Sequence, residues 1–326
     1  MSGIWTVAFT AREKAELVEV PLPEGPLGAR EIAGRSLASL VSPGTEINGE
    51  YLGTRFPSYH GYAAVLQVEE VGAEVGDLHV GDHVFIAGKH RSRQRCDAEG
   101  AVPLPAGLSP EQAVFARLMG VSMSTLLTTA ARPPGRVLVT GLGPVGHLAA
   151  QVFAAAGYRV SASDPIAERR NLLAGPGGIE LLERVAPDAG FDLALECSGH
   201  EQAAFDACHS VRKGGEVVLV GTPWSRQTDL RAFDLLHEVF FRYVVLRSGW
   251  EWQVPGRRRD FDRGSLMENF AAALRWLADG RVNVAALYDV ASPADCQKVY
   301  QSLLHRTSKT PTVVFDWASP AVQARG

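Results

Sequence analysis

The stretch RVLVTGLGPVGHLAAQVFAAAGYRVSASD, residues 136 to 164, decides the fold. It opens with a short β-branched run that predicts a buried strand, and Gly141, Gly143 and Gly146 follow with the spacing G-x-G-x-x-G. Apolar residues then recur at helical spacing until a glycine ends the helix. A second β-branched run finishes at Asp164, about 20 residues after the first glycine. The order is strand, glycine loop, helix, strand and acid.

This order is typical of a dinucleotide-binding unit. Gly141 permits a tight turn, Gly143 lets the backbone approach a pyrophosphate, and Gly146 lets the helix and strand pack closely. The helix N-terminus adds free N–H groups for the anion. Asp164 would accept hydrogen bonds from the ribose hydroxyls and repel a 2′-phosphate, which favours NAD(H). Arg169 opposes that preference, because an arginine can hold such a phosphate.

Outside this stretch the sequence divides into two kinds of pattern. From Arg136 to about Ala285, short apolar strands alternate with helical segments, which predicts an α/β fold with a doubly wound parallel sheet. The first 88 residues instead show short β runs separated by glycines, as in a small barrel. At Ser109 an N-cap serine, a proline and an acid open a helix that we expect to bridge two domains.

Composition limits the classes of function. The chain has 326 residues, of which 46% are hydrophobic, and 32 basic against 36 acidic side chains give a net charge of −4. These values favour a globular protein of about two domains and argue against nucleic acid as a partner. The four cysteines show no C-x-x-C spacing, which argues against a disulfide framework. The sequence offers no signal-peptide core or membrane span, so we expect a soluble cytoplasmic protein with no membrane partner.

Several further segments extend the pattern to nearly the whole chain. They are SPGTE at 42–46, VGDHV at 80–84, VPLPAGLSPEQAV at 102–114 and KTPTVVFDW at 309–317. With the glycine loop, they resemble the medium-chain dehydrogenase/reductase superfamily of alcohol and polyol dehydrogenases. The resemblance implies a GroES-like β-barrel substrate domain (residues 1–120 and 286–326), a Rossmann domain (121–285) and an active site in the cleft between them. We also expect a small-molecule substrate and a homodimer.

The sequence departs from the zinc members of that superfamily at the metal. Where those members carry a cysteine and a His-Glu pair, this chain has Pro43, Tyr62 and Ala63. Since zinc needs nitrogen, sulfur or oxygen ligands that converge, we predict no metal. The chain therefore resembles the zinc-free branch, and its S-x-G-T-E segment is similar to bacteriochlorophyllide dehydrogenase-type members.

Without zinc, another group must stabilise the oxygen of the reacting carbonyl. Thr45 matches the hydroxyl that resembles the superfamily's proton relay, and Tyr62 stands where a zinc-binding histidine would be. A phenol can donate a proton in the reduction direction. We therefore predict Thr45 and Tyr62 as catalytic residues, with Glu46 orienting Tyr62 and His60 relaying protons to solvent. The other interpretation is that Tyr62 only fills the volume left by the metal.

The remaining predicted cofactor contacts come from the glycine loop and from segments before and after it. They are Pro144, Val145, Ser198, Gly221, Thr222, Ser248, Thr125 and Lys309.

The sequence favours a zinc-independent, NAD(H)-dependent oxidoreductase that moves a hydride between nicotinamide and an alcohol or ketone of a sugar-like or biosynthetic intermediate. Two alternatives stay open. One is an NADPH-dependent enoyl or quinone reductase, which Asp164 disfavours. The other is a non-catalytic dinucleotide-binding protein that uses its cleft for sensing or assembly.

Overall fold

The computed structural model describes residues 3–22, 25–173 and 178–319. Its contacts divide the chain into two compact units. Unit 1 comprises Met1–Arg117 and Val284–Gly326, and unit 2 comprises Leu118–Asn283. Within the described residues, none of the helices is both long and apolar enough to cross a membrane.

Unit 1 is mainly antiparallel β-structure. Its strands are β1 (Ile4–Ala11), β2 (Lys14–Val20), β3 (Glu31–Leu40), β4 (Ser58–Tyr59), β5 (Ala64–Val71), β6 (His83–Ile86), β7 (Arg93–Asp97), β8 (Ala101–Pro103), β15 (Tyr288–Ala291) and β16 (Thr312–Asp316). A large sheet has the strand order β15-β16-β3-β5-β6-β8, and β7 also pairs with β3. A smaller sheet has the order β2-β1-β4.

Short helices connect and cover these strands. The last strand, β16, pairs antiparallel with β3, which ties the two chain segments of unit 1 together. The helices are α1 (Pro43–Thr45), a π-helix (Glu46–Tyr51), α2 (Pro110–Ala113) and α9 (Cys296–Leu304), with 3-10 turns at Ala98–Gly100 and Pro293–Asp295.

Unit 2 is built on a parallel sheet. Its strands are β9 (Arg136–Thr140), β10 (Arg159–Ser163), β11 (Glu180–Leu182), β12 (Phe191–Glu196), β13 (Val211–Leu219) and β14 (Val245–Ser248). They lie in the order β11-β10-β9-β12-β13-β14. Numbered along the chain within this unit, this is the order 3-2-1-4-5-6 of a doubly wound dinucleotide-binding fold. The helices are α3 (Ala116–Thr128), which starts in unit 1, α4 (Pro144–Ala155), α5 (Ala167–Leu173), α6 (Glu201–Ser210), α7 (Ala232–Phe241) and α8 (Leu266–Ala278), with a 3-10 turn at Glu251–Gln253.

The central strands of unit 2 explain why this segment reads as apolar runs. Val137, Leu138 and Val139 of β9 are fully buried, as are Leu193 and Ala194 of β12. A parallel strand covered by helices on both faces needs apolar side chains in succession. The predicted α/β class and parallel sheet are confirmed.

The helix predicted from Ser109 is interrupted. Ser109 does cap its start, because its Oγ accepts a hydrogen bond from the N–H of Gln112. The N–H of Phe115 then bonds the carbonyl of Gln112, and that of Arg117 bonds Val114. These i to i−3 bonds tighten the chain into a 3-10-like turn between α2 and α3.

Candidate functional site

The glycine loop joins β9 to α4 in unit 2. Gly141 has φ +82°, which L side chains rarely adopt, so the turn requires glycine there. A Cβ on Gly146 would lie 1.8 Å from the carbonyl oxygen of Gly141, whereas a Cβ on Gly143 would meet nothing within 4 Å. The loop is thus tightly packed on one side and open at Gly143. Among the described residues no side chain caps α4, so the N–H groups of Val145 and Gly146 at its start are available to an anion, whereas that of His147 bonds the carbonyl of Gly143.

Asp164 directly follows β10 and is 2% exposed. One carboxylate oxygen, Oδ2, accepts the N–H of Leu142 at 2.8 Å, and Oδ1 accepts the N–H of Ile166 at 2.9 Å. Arg169 Nη1 lies 3.4 Å from Oδ2. Asp164 therefore holds the glycine loop in place, and Arg169 offsets part of its negative charge.

The other predicted cofactor residues are spread over the ends of several elements. In unit 2, Ser198 donates to Glu196 at the carboxyl end of β12, and Ser248 ends β14. Gly221 packs so closely that a Cβ would lie 2.2 Å from the N–H nitrogen of Gly199. Thr222 is exposed, whereas Thr125 is fully buried. Lys309 is exposed and lies in unit 1.

Thr125 is notable because its buried hydroxyl oxygen has no hydrogen-bond partner among the described residues. Thr140, at the end of β9 next to the glycine loop, has a similarly unpartnered buried hydroxyl. Buried hydroxyls are normally satisfied, so each of these leaves a donor and an acceptor free for another group.

Tyr62 lies in unit 1 with its hydroxyl against Ser42. The phenol donates to Ser42 Oγ at 2.5 Å, and the guanidinium carbon of Arg117 lies 4.6 Å above the ring centroid. Burial raises the pKa of Tyr62, while the hydroxyls of Ser42 and Thr45 and the positive charge of Arg117 oppose the rise. Thr45 itself ends α1 and is exposed. The structure thus brings the hydroxyls of Tyr62, Ser42 and Thr45 together.

Glu46 does not contact Tyr62 directly. Its Oε1 accepts the backbone N–H of Ser42 at 2.7 Å, and its Oε2 accepts the Tyr300 hydroxyl at 2.5 Å. His90 Nε2 lies 3.0 Å from the same Oε2, and Nδ1 lies 2.8 Å from Ser39 Oγ. We call these residues the Glu46 network. It fixes the position of Ser42, so Glu46 reaches Tyr62 only through Ser42.

His60 faces a different carboxylate. Its Nε2 lies 2.9 Å from Glu50 Oε2, and its ring stacks on Phe9. Burial lowers the pKa of His60, and the carboxylates of Glu50 and Glu46 oppose that change.

His90 is the residue that sequence reasoning missed. It looks like one of several scattered histidines, yet it is 1% exposed and lies inside the Glu46 network. The sequence does contain Gly61, but its link to His90 is visible only in the fold, where a Cβ on Gly61 would lie 2.6 Å from the backbone nitrogen of His90.

The three positions at which zinc members of the resembled superfamily carry their ligands do not provide a suitable set of ligands in this chain. Pro43 and Ala63 have no donor atom in their side chains, and the phenol of Tyr62 is engaged by Ser42. Across residues 3–22, 25–173 and 178–319, no three histidine, cysteine, aspartate or glutamate side chains converge. A tetrahedral zinc site needs such a set.

Comparisons with known proteins match both the sequence and the fold. The model of the family described as zinc-binding dehydrogenase matches residues 144–253, which begin directly after Gly143 and include Gly146 and Asp164. The L-threonine 3-dehydrogenase of Thermococcus kodakarensis is 29% identical over 256 residues, covering 64% of this chain and 72% of that protein.

Two solved structures share the fold over almost their full length. A structure from Sinorhizobium meliloti, determined with NADP bound, has a TM-score of 0.77 at 16% identity and covers 97% of this chain and 100% of its own. The acetophenone reductase of Geotrichum candidum, determined with NAD, has a TM-score of 0.76 at 15% identity and covers 97% and 98%. At such identities the likeness establishes the fold alone.

Proposed function

We propose that this chain, whose matches support the medium-chain dehydrogenase/reductase superfamily, is an NAD(H)-dependent oxidoreductase that interconverts an alcohol and a ketone. The observation that carries the proposal is the glycine loop, open at Gly143 and held by Asp164 at the ends of adjacent parallel strands. In open parallel sheets, ligands bind outside the carboxyl ends of the strands where the strand order reverses, which here is between β9 and β12.

The residues of unit 2 fit a dinucleotide. The N–H groups at the start of α4 would hold the pyrophosphate, and the Asp164 carboxylate retains lone pairs for ribose hydroxyls beside its two backbone bonds. When bound, a nicotinamide would supply or accept the hydride. The buried carboxylate supports NAD(H), and Arg169 weakens that preference.

Tyr62 is proposed as the proton donor to the substrate oxygen, which makes the chemistry zinc-independent. Reduction of a carbonyl builds negative charge on oxygen, and a positioned hydroxyl can neutralise it. Arg117 fixes the ring of Tyr62 and Ser42 fixes its hydroxyl. Since hydroxyl hydrogens rotate, the exposed Thr45 and its neighbour Ser42 can pass a proton from water to Tyr62 after each turnover, each accepting one proton as it donates another. Glu46 is a positioning residue that acts through Ser42.

This chemistry and the names of the relatives support the proposed substrate class. A threonine dehydrogenase and a ketone reductase both act on a carbon bearing oxygen. We propose a hydroxyl or ketone of a sugar-like or biosynthetic intermediate. The test is NADH consumption across sugars, aryl ketones, enones and quinones. Oxidation of NADH in the presence of ketones supports the proposal. Oxidation confined to enones or quinones would replace it with a double-bond reductase, and NADH binding without turnover would indicate a sensing role.

Zinc independence predicts a metal-free active enzyme. We expect far less than one zinc per chain by elemental analysis, and activity that survives a strong chelator. Burial raises the pKa of Cys96 to about 12, so this thiol is a poor source of the thiolate that zinc binds. Cys96→Ser should therefore leave activity nearly unchanged. One zinc per chain that survives dialysis, with activity lost on its removal, would contradict the prediction.

A homodimer is proposed through the outer face of α7. Leu235 and Val239 pack inward on the core of unit 2. Phe233, Leu236 and Phe240 point outward at helical spacing and are 66 to 74% exposed. Exposed apolar faces of this kind mark interaction sites, and a mainly apolar face can meet its own copy with little charge repulsion.

The dimer is tested by light scattering after gel filtration. The wild-type chain should show twice its 35.0 kDa mass. Joint replacement Leu236→Asp and Phe240→Asp should give a monomer. Phe261→Asp is the matched control, because Phe261 is fully exposed outside α7. A wild-type monomer, or a double variant that stays dimeric, would contradict the assignment.

A further inference from the structure

The segment RSRQR, residues 91 to 95, borders a cavity of about 340 Å³ in unit 1. This volume is within the range of small-molecule pockets. Arg91, Arg93 and Arg95 all line the cavity, together with Gln94. Four apolar side chains also line the cavity, and we call them the apolar wall: Ile4, Leu22, Leu27 and Ala33.

Two of the three arginines already have carboxylate partners. Arg93 Nη1 lies 2.6 Å from Glu69, and Arg95 Nη2 lies 2.5 Å from Glu31. Arg93 also lies 3.6 Å from Glu70, which lines the cavity. Their charges are therefore balanced within the protein.

Arg91 differs from both neighbours. None of the carboxylates in the described residues forms an ion pair with its guanidinium, and its buried Nε has no hydrogen-bond partner there. Burial alone lowers the pKa of Arg91. A partly buried guanidinium without a counter-charge is unfavourable, and residues kept in such a state commonly serve a ligand.

We propose that this cavity binds a small amphipathic monocarboxylate, with its carboxylate on Arg91 and its hydrocarbon body against the apolar wall. The planar guanidinium matches a carboxylate with two parallel hydrogen bonds. Arg91, the one of the three arginines without a carboxylate partner among the described residues, selects a single negative charge, and Glu70 disfavours a second. The apolar wall favours an organic acid over an inorganic anion. This site lies in unit 1, does not involve the glycine loop and does not rest on the proposed oxidoreductase activity.

The binding test uses octanoate as the probe, with octanol and sulfate as comparisons, in isothermal titration of the whole chain. Octanoate should bind once per chain, and octanol and sulfate at least about tenfold more weakly, because each lacks either the charge or the apolar body. Arg91→Met should weaken octanoate binding at least about tenfold. The affinity of Arg91→Lys should lie between those of the wild type and Arg91→Met, because lysine keeps the charge but lacks the planar guanidinium. Arg55→Met, which removes an exposed charge elsewhere in unit 1, is the control.

Thermal unfolding separates a ligand site from a structural role. Without ligand, Arg91→Met should raise the melting temperature by about 2 °C or more, because it removes a partly buried cation that has no ion-pair partner in the described part of the chain. Octanoate should raise the melting temperature of the wild type and leave that of Arg91→Met unchanged. Equal affinity for octanoate and octanol, equal affinity for octanoate and sulfate, or undiminished binding by Arg91→Met would each overturn the proposal. So would a ligand-free Arg91→Met variant that melts earlier than wild type.

Discussion

Replacing Tyr62 with phenylalanine should lower the turnover number for ketone reduction about 100-fold or more, because it removes a preorganised proton donor. The ring should stay in place, since Arg117 packs over it and the substitution removes only the hydroxyl that contacts Ser42 and Thr45. The dissociation constant for NADH, measured by fluorescence, should change less than about threefold. Thr45→Val should reduce turnover in the same direction by removing the adjacent hydroxyl.

Tyr59→Phe is the matched control, because it deletes a phenolic oxygen from neighbouring β4. Turnover within about threefold for both Tyr62→Phe and Thr45→Val, with NADH binding intact, would place the donor elsewhere. A water held near Glu46 or His60 would then be the better candidate. Tyr62 would in that case only fill space.

The pH profile gives a second measurement on the same residue. Burial raises the pKa of Tyr62 against the opposing hydroxyls of Ser42 and Thr45, so the phenol remains protonated at neutral pH. Ketone reduction should therefore be flat from about pH 6 to 9, because the donor form is lost only above that range. A fall in reduction rate centred below about pH 8 would contradict this assignment.

NADH should bind with a dissociation constant about 100-fold or more below that of NADPH. A carboxylate about 4 Å from a 2′-phosphate costs on the order of 4 kcal/mol per charge pair at an effective dielectric of 20. Arg169 lies 3.4 Å from the Asp164 carboxylate and offsets part of that cost, so we expect less than the full effect. Fluorescence titration with both coenzymes measures the ratio.

Arg169→Ala tests the offset itself. The variant should bind NADPH more weakly than the wild type does and bind NADH with nearly the same affinity. The ratio of the two dissociation constants therefore becomes larger. Arg184→Ala removes an exposed charge from the same unit and should leave the ratio alone. A dissociation constant for NADPH equal to or below that for NADH would show that Asp164 does not select the coenzyme.

The glycine loop could be predicted because its determinants are local. The spacing of Gly141, Gly143 and Gly146 fixes a turn and a helix start within six residues, and Asp164 follows one helix later. Each of these residues acts through backbone conformation or close packing. Sequence spacing encodes such features directly.

The Glu46 network could not be predicted in the same way. Glu46 meets His90 from 44 positions away and Tyr300 from 254 positions away. These contacts depend on how the strands of unit 1 pair, which no short motif specifies. Histidine and tyrosine at such separations look like isolated residues until the fold brings them together. The same holds for Arg91, because only the fold shows that its guanidinium meets no carboxylate among the described residues.

The pairing of β16 with β3 also sets an order of events during synthesis. Leu118–Asn283 is a continuous segment whose strands find all their sheet partners within it, so it can complete its sheet as soon as it leaves the ribosome. Leu40 of β3 must wait for Val314, on the order of tens of seconds at typical translation rates. Tyr300 arrives just before that strand. The half of the protein that carries Tyr62 is therefore the last to be finished, and for that interval residues 38 to 40 of β3 lack β16, which pairs with them in the folded protein.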